Sequence, residues 1–131
     1  MGVKYLWDTN IVIYFLQKLF PSEIETWIDS ILEMHQPCIS VITEIELMCW
    51  KVADKNDQAL LQRFIQEITV VDLEKSIKIK TAEIRKSTRI KLPDAIIAAT
   101  ALVHKCTLLT RNYKDFANIP ELNVINPFEL N

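Results

Sequence analysis

The apolar positions form short runs alternating with longer stretches of helical spacing. Lys4-Tyr5-Leu6-Trp7 is a four-residue run that stops at Asp8-Thr9-Asn10. A short apolar run closed by turn formers reads as a strand. Ile11-Val12-Ile13-Tyr14-Phe15-Leu16 follows as a helix, with Thr9 or Asn10 to cap it. Ser22 and Glu25 have the spacing of a capping box. Behind them Ile24, Trp27, Ile28, Ile31 and Leu32 make one apolar helix face. Pro37-Cys38-Ile39-Ser40 reads as a second strand, and the run from Ser40 to Trp50 as a helix. A further helix spans residues 54–66, with Leu60, Leu61, Phe64, Ile65 and Ile68 on its buried side. Thr69-Val70-Val71 is a third strand, and residues 74–86 are helical with Ile77, Ala82 and Ile84 among the apolar positions. Thr107-Leu108-Leu109-Thr110 is a fourth strand and Leu122-Asn123-Val124-Ile125 a weak fifth, stopped by Asn126-Pro127. Strands alternating with helices imply a parallel sheet covered on both faces.

One stretch is apolar all round: Leu92-Pro93-Asp94-Ala95-Ile96-Ile97-Ala98-Ala99-Thr100-Ala101-Leu102. Pro93 suits a first helical turn, where its missing N–H is not needed. The alanines let neighbours approach closely, so this helix is expected at the centre of the fold. Asp94 opens it. A carboxylate there either complements the helix dipole, at about 0.3–1 kcal/mol, or serves a site that needs charge at a cost in burial.

Composition narrows the class. At 131 residues and half apolar, the chain fits one domain, residues 1–131, that needs no staples. It has one glycine, Gly2, so no Gly-rich phosphate loop can form. Cys38, Cys49 and Cys106 are odd in number and lack CxxC spacing. They read as buried thiols in a reducing cytosol. His35 and His104 have no Cys or His nearby in sequence to make a metal site. No apolar run reaches the ~18 residues of a membrane span. In Met1-Gly2-Val3-Lys4-Tyr5-Leu6-Trp7-Asp8, the aspartate interrupts what a signal peptide would keep apolar. A cytoplasmic location with no membrane partner is the expectation.

Net charge is −2, but it is unevenly distributed. Residues 75–91 hold Lys75, Lys78, Lys80, Arg85, Lys86, Arg89 and Lys91 against one acid, Glu83. The rest of the chain is acidic. A basic block leading into Asp94 is either a solvated helix face or a phosphate-handling flank.

The acids take up a pattern. Asp8 ends the first strand, Glu44 and Glu46 ride the helix after the second, Asp94 opens the central helix, and Asn112 and Asp115 follow the fourth strand. In a parallel sheet these positions share the carboxyl edge. Glu44 and Glu46 point about 200° apart on a helix, so only one can face a given site. Clustered carboxylates raise one another's pKa. A hard divalent cation with oxygen ligands, Mg²⁺ or Mn²⁺, relieves that repulsion. Such an ion also supports attack of water on a phosphodiester.

Asp8-Thr9-Asn10, Ser40-Val41-Ile42-Thr43-Glu44-Ile45-Glu46-Leu47, Leu92-Pro93-Asp94-Ala95-Ile96-Ile97-Ala98-Ala99-Thr100-Ala101 and Leu109-Thr110-Arg111-Asn112-Tyr113-Lys114-Asp115-Phe116 resemble, in order, the four motifs of the PIN-domain family. Within it they look like the VapC-type toxin ribonucleases. The resemblance implies a three-layer α/β/α sandwich with a mostly parallel sheet of four or five strands. It implies hydrolysis of single-stranded RNA, with tRNA and rRNA as candidate targets, by a toxin of a type II toxin–antitoxin pair. Asp8, Glu46, Asp94 and Asp115 would be the catalytic and metal-binding acids, with Mg²⁺ or Mn²⁺ as cofactor. Glu46 matches the second motif because it lies three after Thr43, which leaves Glu44 solvated. The fourth position is Asp or Asn in the family, so Asn112 and Asp115 both qualify; Asp115 is favoured as the charge and Asn112 as a polar helper. Asn10 and Thr110 would support the cluster, and Lys86, Arg89, Lys91 and Arg111, with Lys114, would hold the RNA backbone. A homodimer and a cognate antitoxin are the implied partners. Met48-Cys49-Trp50 stands where family members often carry a glycine, a departure that reshapes the groove beside Glu46.

Two other readings fit parts of the chain. A haloacid-dehalogenase-like phosphatase also starts with an aspartate after strand one, but needs an acid two residues on, where this chain has Asn10. A non-catalytic PIN-like RNA-binding or interaction module would bind RNA and leave it intact.

Overall fold

The computed structural model describes residues 4–130. Residues 1–3, which open the N-terminal reading above, and residue 131 lie outside it. The strands are β1 (Lys4–Trp7), β2 (Cys38–Ser40), β3 (Thr69–Val71), β4 (Cys106–Leu109) and β5 (Val124–Ile125). The helices are α1 (Thr9–Leu16), α2 (Ser22–Met34), α3 (Val41–Cys49), α4 (Lys55–Glu67), α5 (Lys75–Ser87), α6 (Leu92–Val103) and the single turn α7 (Tyr113–Phe116). A 3₁₀ turn at Pro127–Glu129 closes the described chain.

The sheet order is β3-β2-β1-β4-β5, and every pairing is parallel. All five strand ends therefore share one edge. Alternation along the central strands builds two cores. Leu6 and Leu108 face the layer of α5 and α6, with Ile77, Ile84, Ile97 and Ala98. Their neighbours Trp7 and Leu109 face the other way, onto Ile11, Val12, Phe20, Ile28 and Leu61. The period of two in side-chain direction makes three layers out of short strands. In α6, residues 95–101 are all buried, as its alanine-rich stretch predicts.

Several local expectations are corrected. Asp8 itself caps α1, accepting the Thr9 amide at 2.8 Å; neither Thr9 nor Asn10 does. The capping box at Ser22 does not form, because α2 starts at Ser22 after Pro21 and has no side-chain cap. Leu60 is 46% exposed rather than on the buried side of α4. Of the thiols, Cys106 is buried, Cys38 half-buried and Cys49 exposed. β5 is two residues long, half the expected run.

With so few glycines, side chains with a Cβ take the left-handed positions. Lys18 (φ 55°) ends α1 and Lys105 (φ 55°) ends α6. After α1 the Leu19 amide reaches Tyr14 O at 2.9 Å and the Lys18 amide reaches Phe15 O at 3.2 Å. That is the hydrogen-bond pair of a Schellman cap, which glycine fills at least cost.

Candidate active site

The site is built on the carboxyl edge of β1 and its two neighbours. β1 ends at Trp7, and the next residue, Asp8, is 5% exposed. Its amide donates to Leu109 O at 2.9 Å, which ties the turn to β4. Its carboxylate accepts three donors: the Thr9 amide at 2.8 Å, the Thr110 hydroxyl at 2.7 Å and the Asn10 amide group at 3.2 Å. Hydrogen bonds to a carboxylate favour the charged form. Burial outweighs them here and pushes the Asp8 carboxyl above its usual range, with Glu46 adding to the rise.

Thr110 is fully buried and joins the parts. Its oxygen also accepts the Asn112 amide at 3.0 Å, which turns the chain out of β4 toward α7. Asn10 bridges the same two segments, since its carbonyl oxygen accepts the Arg111 amide at 3.1 Å.

α3 supplies Glu46. Ser40 caps this helix through the Ile42 amide, and Thr43 and Leu47 face inward one turn apart. The Thr9 hydroxyl donates to Glu46 Oε1 at 2.6 Å and lies 3.1 Å from the Thr43 hydroxyl. Glu46 thus reaches the site although it is the more exposed of the two helix acids; Glu44, expected to be solvated, is half-buried, and it is not among the charges that act on Asp8 or Asp94. Thr9 and Thr43 were not singled out as site residues from the sequence. The T-x-x-E spacing that selects Glu46 was the available signal for Thr43.

Asp94 sits in the first turn of α6 and is half-buried. Burial raises its carboxyl above the usual range; Asp8, Asp115 and Glu46 raise it further, and Lys91 opposes them. The four acids from four parts of the chain thus share one electrostatic neighbourhood. Asp115 is exposed on α7, and its amide bonds to Asn112 O at 3.1 Å. Of the two fourth-position candidates, Asp115 is the one whose charge acts on Asp94.

No ion pair answers this charge: among the described residues the salt bridges are Arg63–Glu67, Lys80–Glu83 and His104–Glu74. The donors are all oxygens and the charge is uncompensated, which is the chemistry a hard divalent cation requires. The set is not a finished cage, because no three His, Cys, Asp or Glu among the described residues stand ready to hold an ion. Asp8 is locked by its three donors, whereas exposed Glu46 and Asp115 have solvent around them into which to adjust.

The basic block divides. Arg89 and Lys91 line a cavity of about 380 Å³ together with Asp94 and Asp115. Lys78 and Arg85 line a separate groove between α5 and α6, and Lys80 pairs with Glu83. Lys86 is exposed on the last turn of α5 and borders neither. Cavity size does not mark the site: a larger cavity, about 890 Å³, lies at the opposite sheet edge among Lys4, Cys38, Cys106 and the Glu74–His104 pair. There the Cys38 thiol donates to Tyr5 O at 3.3 Å and the Cys106 thiol to His104 O at 3.7 Å; the neighbouring Cys106 and burial push the Cys38 thiol up, and Cys38 pulls the Cys106 thiol down.

Arg111 is not turned onto the acids. Its guanidinium lies 4.3 Å from the Phe128 ring centroid and 5.1 Å from that of Tyr14, and it donates to the Tyr14 hydroxyl. Beside Glu46, exposed Met48 and half-buried Trp50 edge a groove with Leu61 and Ile65.

A parallel sheet of this order, with acids from its carboxyl edge and from the first turn of the central helix, belongs to a known class. The PIN domain profile matches residues 5–122, and the chain belongs to the PIN-domain family. Within the family its likeness is to VapC proteins. It is 28% identical over 130 residues to the tRNA(fMet)-specific endonuclease VapC of Salmonella typhimurium, covering 93% of this chain and 96% of that one. Among solved structures, a toxin–antitoxin complex from Klebsiella pneumoniae has a chain 31% identical to this one, with TM-score 0.72 over 97% of this chain and all of that one. VapBC-1 from nontypeable Haemophilus influenzae matches in fold at TM-score 0.81, 24% identity, over 97% of this chain and all of that one.

Proposed function

We propose that residues 1–131 act as one PIN nuclease domain, a divalent-cation-dependent endoribonuclease that is the toxin of a VapC-type toxin–antitoxin pair. The observation that supports this reading is the electrostatic coupling of Asp94 to Asp8, Glu46 and Asp115, and of Asp8 to Glu46, with no ion pair to any of these acids among the described residues. The family and the VapC relatives support a nuclease acting on RNA. The chain covers nearly the full length of those relatives, so the likeness spans the whole domain.

Each residue has a part. Asp8, fixed by Thr110, Asn10 and the Thr9 amide, and Asp94 would hold Mg²⁺ or Mn²⁺. Glu46, aimed by Thr9, and Asp115 complete the negative shell and orient water toward the phosphorus. The Thr110 hydroxyl favours the ionised form of Asp8 and offsets part of the rise that burial causes. Arg89 and Lys91, on the cavity beside Asp94, receive the RNA backbone. A bound divalent cation supplies a lowered pKa for the attacking water and offsets the charge that gathers on the phosphodiester. The water oxygen bonds to phosphorus as the P–O bond to the leaving ester oxygen breaks, and the proton the water gives up ends on the departing alkoxide. A cognate antitoxin that covers this acidic edge and a homodimer are the proposed partners.

The test is cleavage of an end-labelled total RNA pool by the purified, antitoxin-free chain with Mg²⁺, with Mn²⁺ and with EDTA. Discrete fragments that require metal are expected, and they identify the target. RNA that is bound but left intact under all three conditions contradicts the nuclease reading and favours a binding module.

A further inference from the structure

We propose that Arg111 is a preset phosphate clamp for the RNA strand, and that Tyr14 and Phe128 are its positioning residues. The proposal rests on the ribonuclease reading for its ligand, an RNA phosphodiester next to the scissile one.

The geometry is specific. Tyr14 comes from α1 and Phe128 from the closing 3₁₀ turn, and their rings meet edge to face at 5.2 Å between centroids. Phe20, buried beneath, touches both at 6.0 and 5.6 Å. The Arg111 guanidinium leans on both rings, at 5.1 and 4.3 Å. A flat cation on two aromatic faces gains roughly 0.5–1 kcal/mol at an exposed site. The larger effect is on freedom: the long side chain is held in one direction before any ligand arrives, which lowers the cost of binding.

The backbone is fixed as well. The Arg111 amide donates to Asn10, and its carbonyl accepts from Asn126 at 3.4 Å. Asn126 also caps the turn that carries Phe128, through the Phe128 amide at 3.0 Å. One asparagine therefore ties the arginine to its aromatic support. Arg111 directly follows Thr110, whose hydroxyl sits on Asp8, so the clamp is anchored one residue from the acids.

The charge is available to a ligand. Arg111 is exposed, and it takes part in none of the ion pairs among the described residues. Lys91, not Arg111, is the cation that eases Asp94. A guanidinium has five N–H donors in a fork that matches phosphate. One of its nitrogens is committed to the Tyr14 hydroxyl. The remaining donors are open to a bidentate contact. The closing turn at Pro127–Glu129 thereby becomes part of the substrate surface rather than a trailing end.

The experiment reads affinity for a labelled single-stranded RNA by anisotropy in an Asp94→Asn background, over a range of salt. Steady-state cleavage is read in parallel in the wild-type background. Arg111→Ala is expected to weaken binding about tenfold and to flatten the slope of log K against log salt by about 0.7, the loss of one phosphate contact on a single strand. Phe128→Leu is expected to raise KM several-fold with kcat within about twofold, while Phe128→Tyr, which restores the ring, keeps the wild-type KM. In the Arg111→Ala background Phe128→Leu should add nothing. An unchanged salt slope in Arg111→Ala overturns the clamp. A Phe128→Leu effect of equal size with and without Arg111, or one confined to kcat, overturns the positioning role. Absence of cleavage by the wild type, with the binding pattern intact, counts against the nuclease reading alone.

Discussion

At the scale of single residues, the site is held by short polar side chains that aim longer charged ones. Thr110 and Asn10 fix Asp8, and the Thr9 hydroxyl donates to exposed Glu46. This gives opposite expectations for two neighbouring acids on α3. Glu46→Gln should abolish metal-dependent cleavage, whereas Glu44→Gln, outside the cluster, should retain most of it; initial rates on one RNA substrate decide. A damaging Glu44→Gln would mean that the helix presents its other face. Asp94 carries a stability prediction. Its carboxyl is raised by burial and by three like charges, so in the metal-free protein its ionised form is strained. A raised carboxyl contributes a penalty that is present in full above its folded pKa and fades as pH falls toward its unfolded value, about 3.9. Asp94→Asn should therefore raise the thermal midpoint of the metal-free protein at neutral pH. The advantage over wild type should shrink as pH is lowered toward 4. Melting curves of both proteins in EDTA across that range test the sign. Asp8 and Asp94 stand out in the sequence because one ends a strand and the other opens a helix, whereas Glu46 rests on its spacing from Thr43. The Arg111 shelf was not, since Tyr14, Arg111 and Phe128 meet only through tertiary packing.

At the scale of elements, sequence and structure agree where one period dominates. Lys4-Tyr5-Leu6-Trp7 becomes a strand as expected, and the run expected at Thr107-Leu108-Leu109-Thr110 becomes one that starts a residue earlier and ends at Leu109. Leu92-Pro93-Asp94 starts α6 as the proline predicts. Agreement fails where local signals compete. Ser22 has a capping partner in Glu25, but Pro21 takes the cap position and draws Ser22 into the helix. The cap expected of Thr9 or Asn10 falls to Asp8, which is both the cap of α1 and a buried carboxylate of the site. Leu60 fits the apolar stripe of α4 by type, yet the helix is amphipathic about Leu61, and Leu60 faces out. Lys18 offers a prediction at this scale. An L-residue in the left-handed position costs roughly 1 kcal/mol relative to glycine. Lys18→Gly should therefore stabilise the chain by about that amount without altering cleavage, as measured by urea unfolding. Destabilisation would mean that the Lys18 side chain makes contacts worth more than the backbone strain.

At the scale of the whole molecule, topology does what no local motif can. The order β3-β2-β1-β4-β5 puts the earliest strand in the middle, so Asp8 is flanked by the ends of β2 and β4. α3 then brings Glu46 from one side and the turn after β4 brings Thr110 and Asp115 from the other. α6 crosses beneath with Asp94. Four acids spaced over more than a hundred residues share one edge because every strand is parallel. The order of layers was legible from alternating strands and helices. The division of the basic block was not: helical spacing sends Lys78 and Arg85 to one groove, while Arg89 and Lys91, beyond the last turn of α5, reach the cavity of Asp94 and Asp115. No helix among the described residues is long and apolar enough to cross a membrane. The central claim is that this shared edge cuts RNA with the help of a divalent cation. It is tested most directly by the rate of cleavage of one labelled single-stranded RNA, with and without Mg²⁺, by the wild-type chain and by Asp94→Asn purified identically. Cleavage that needs Mg²⁺ in the wild type and falls at least a hundredfold in the folded variant is the predicted result. Equal cleavage by the two proteins would contradict the account.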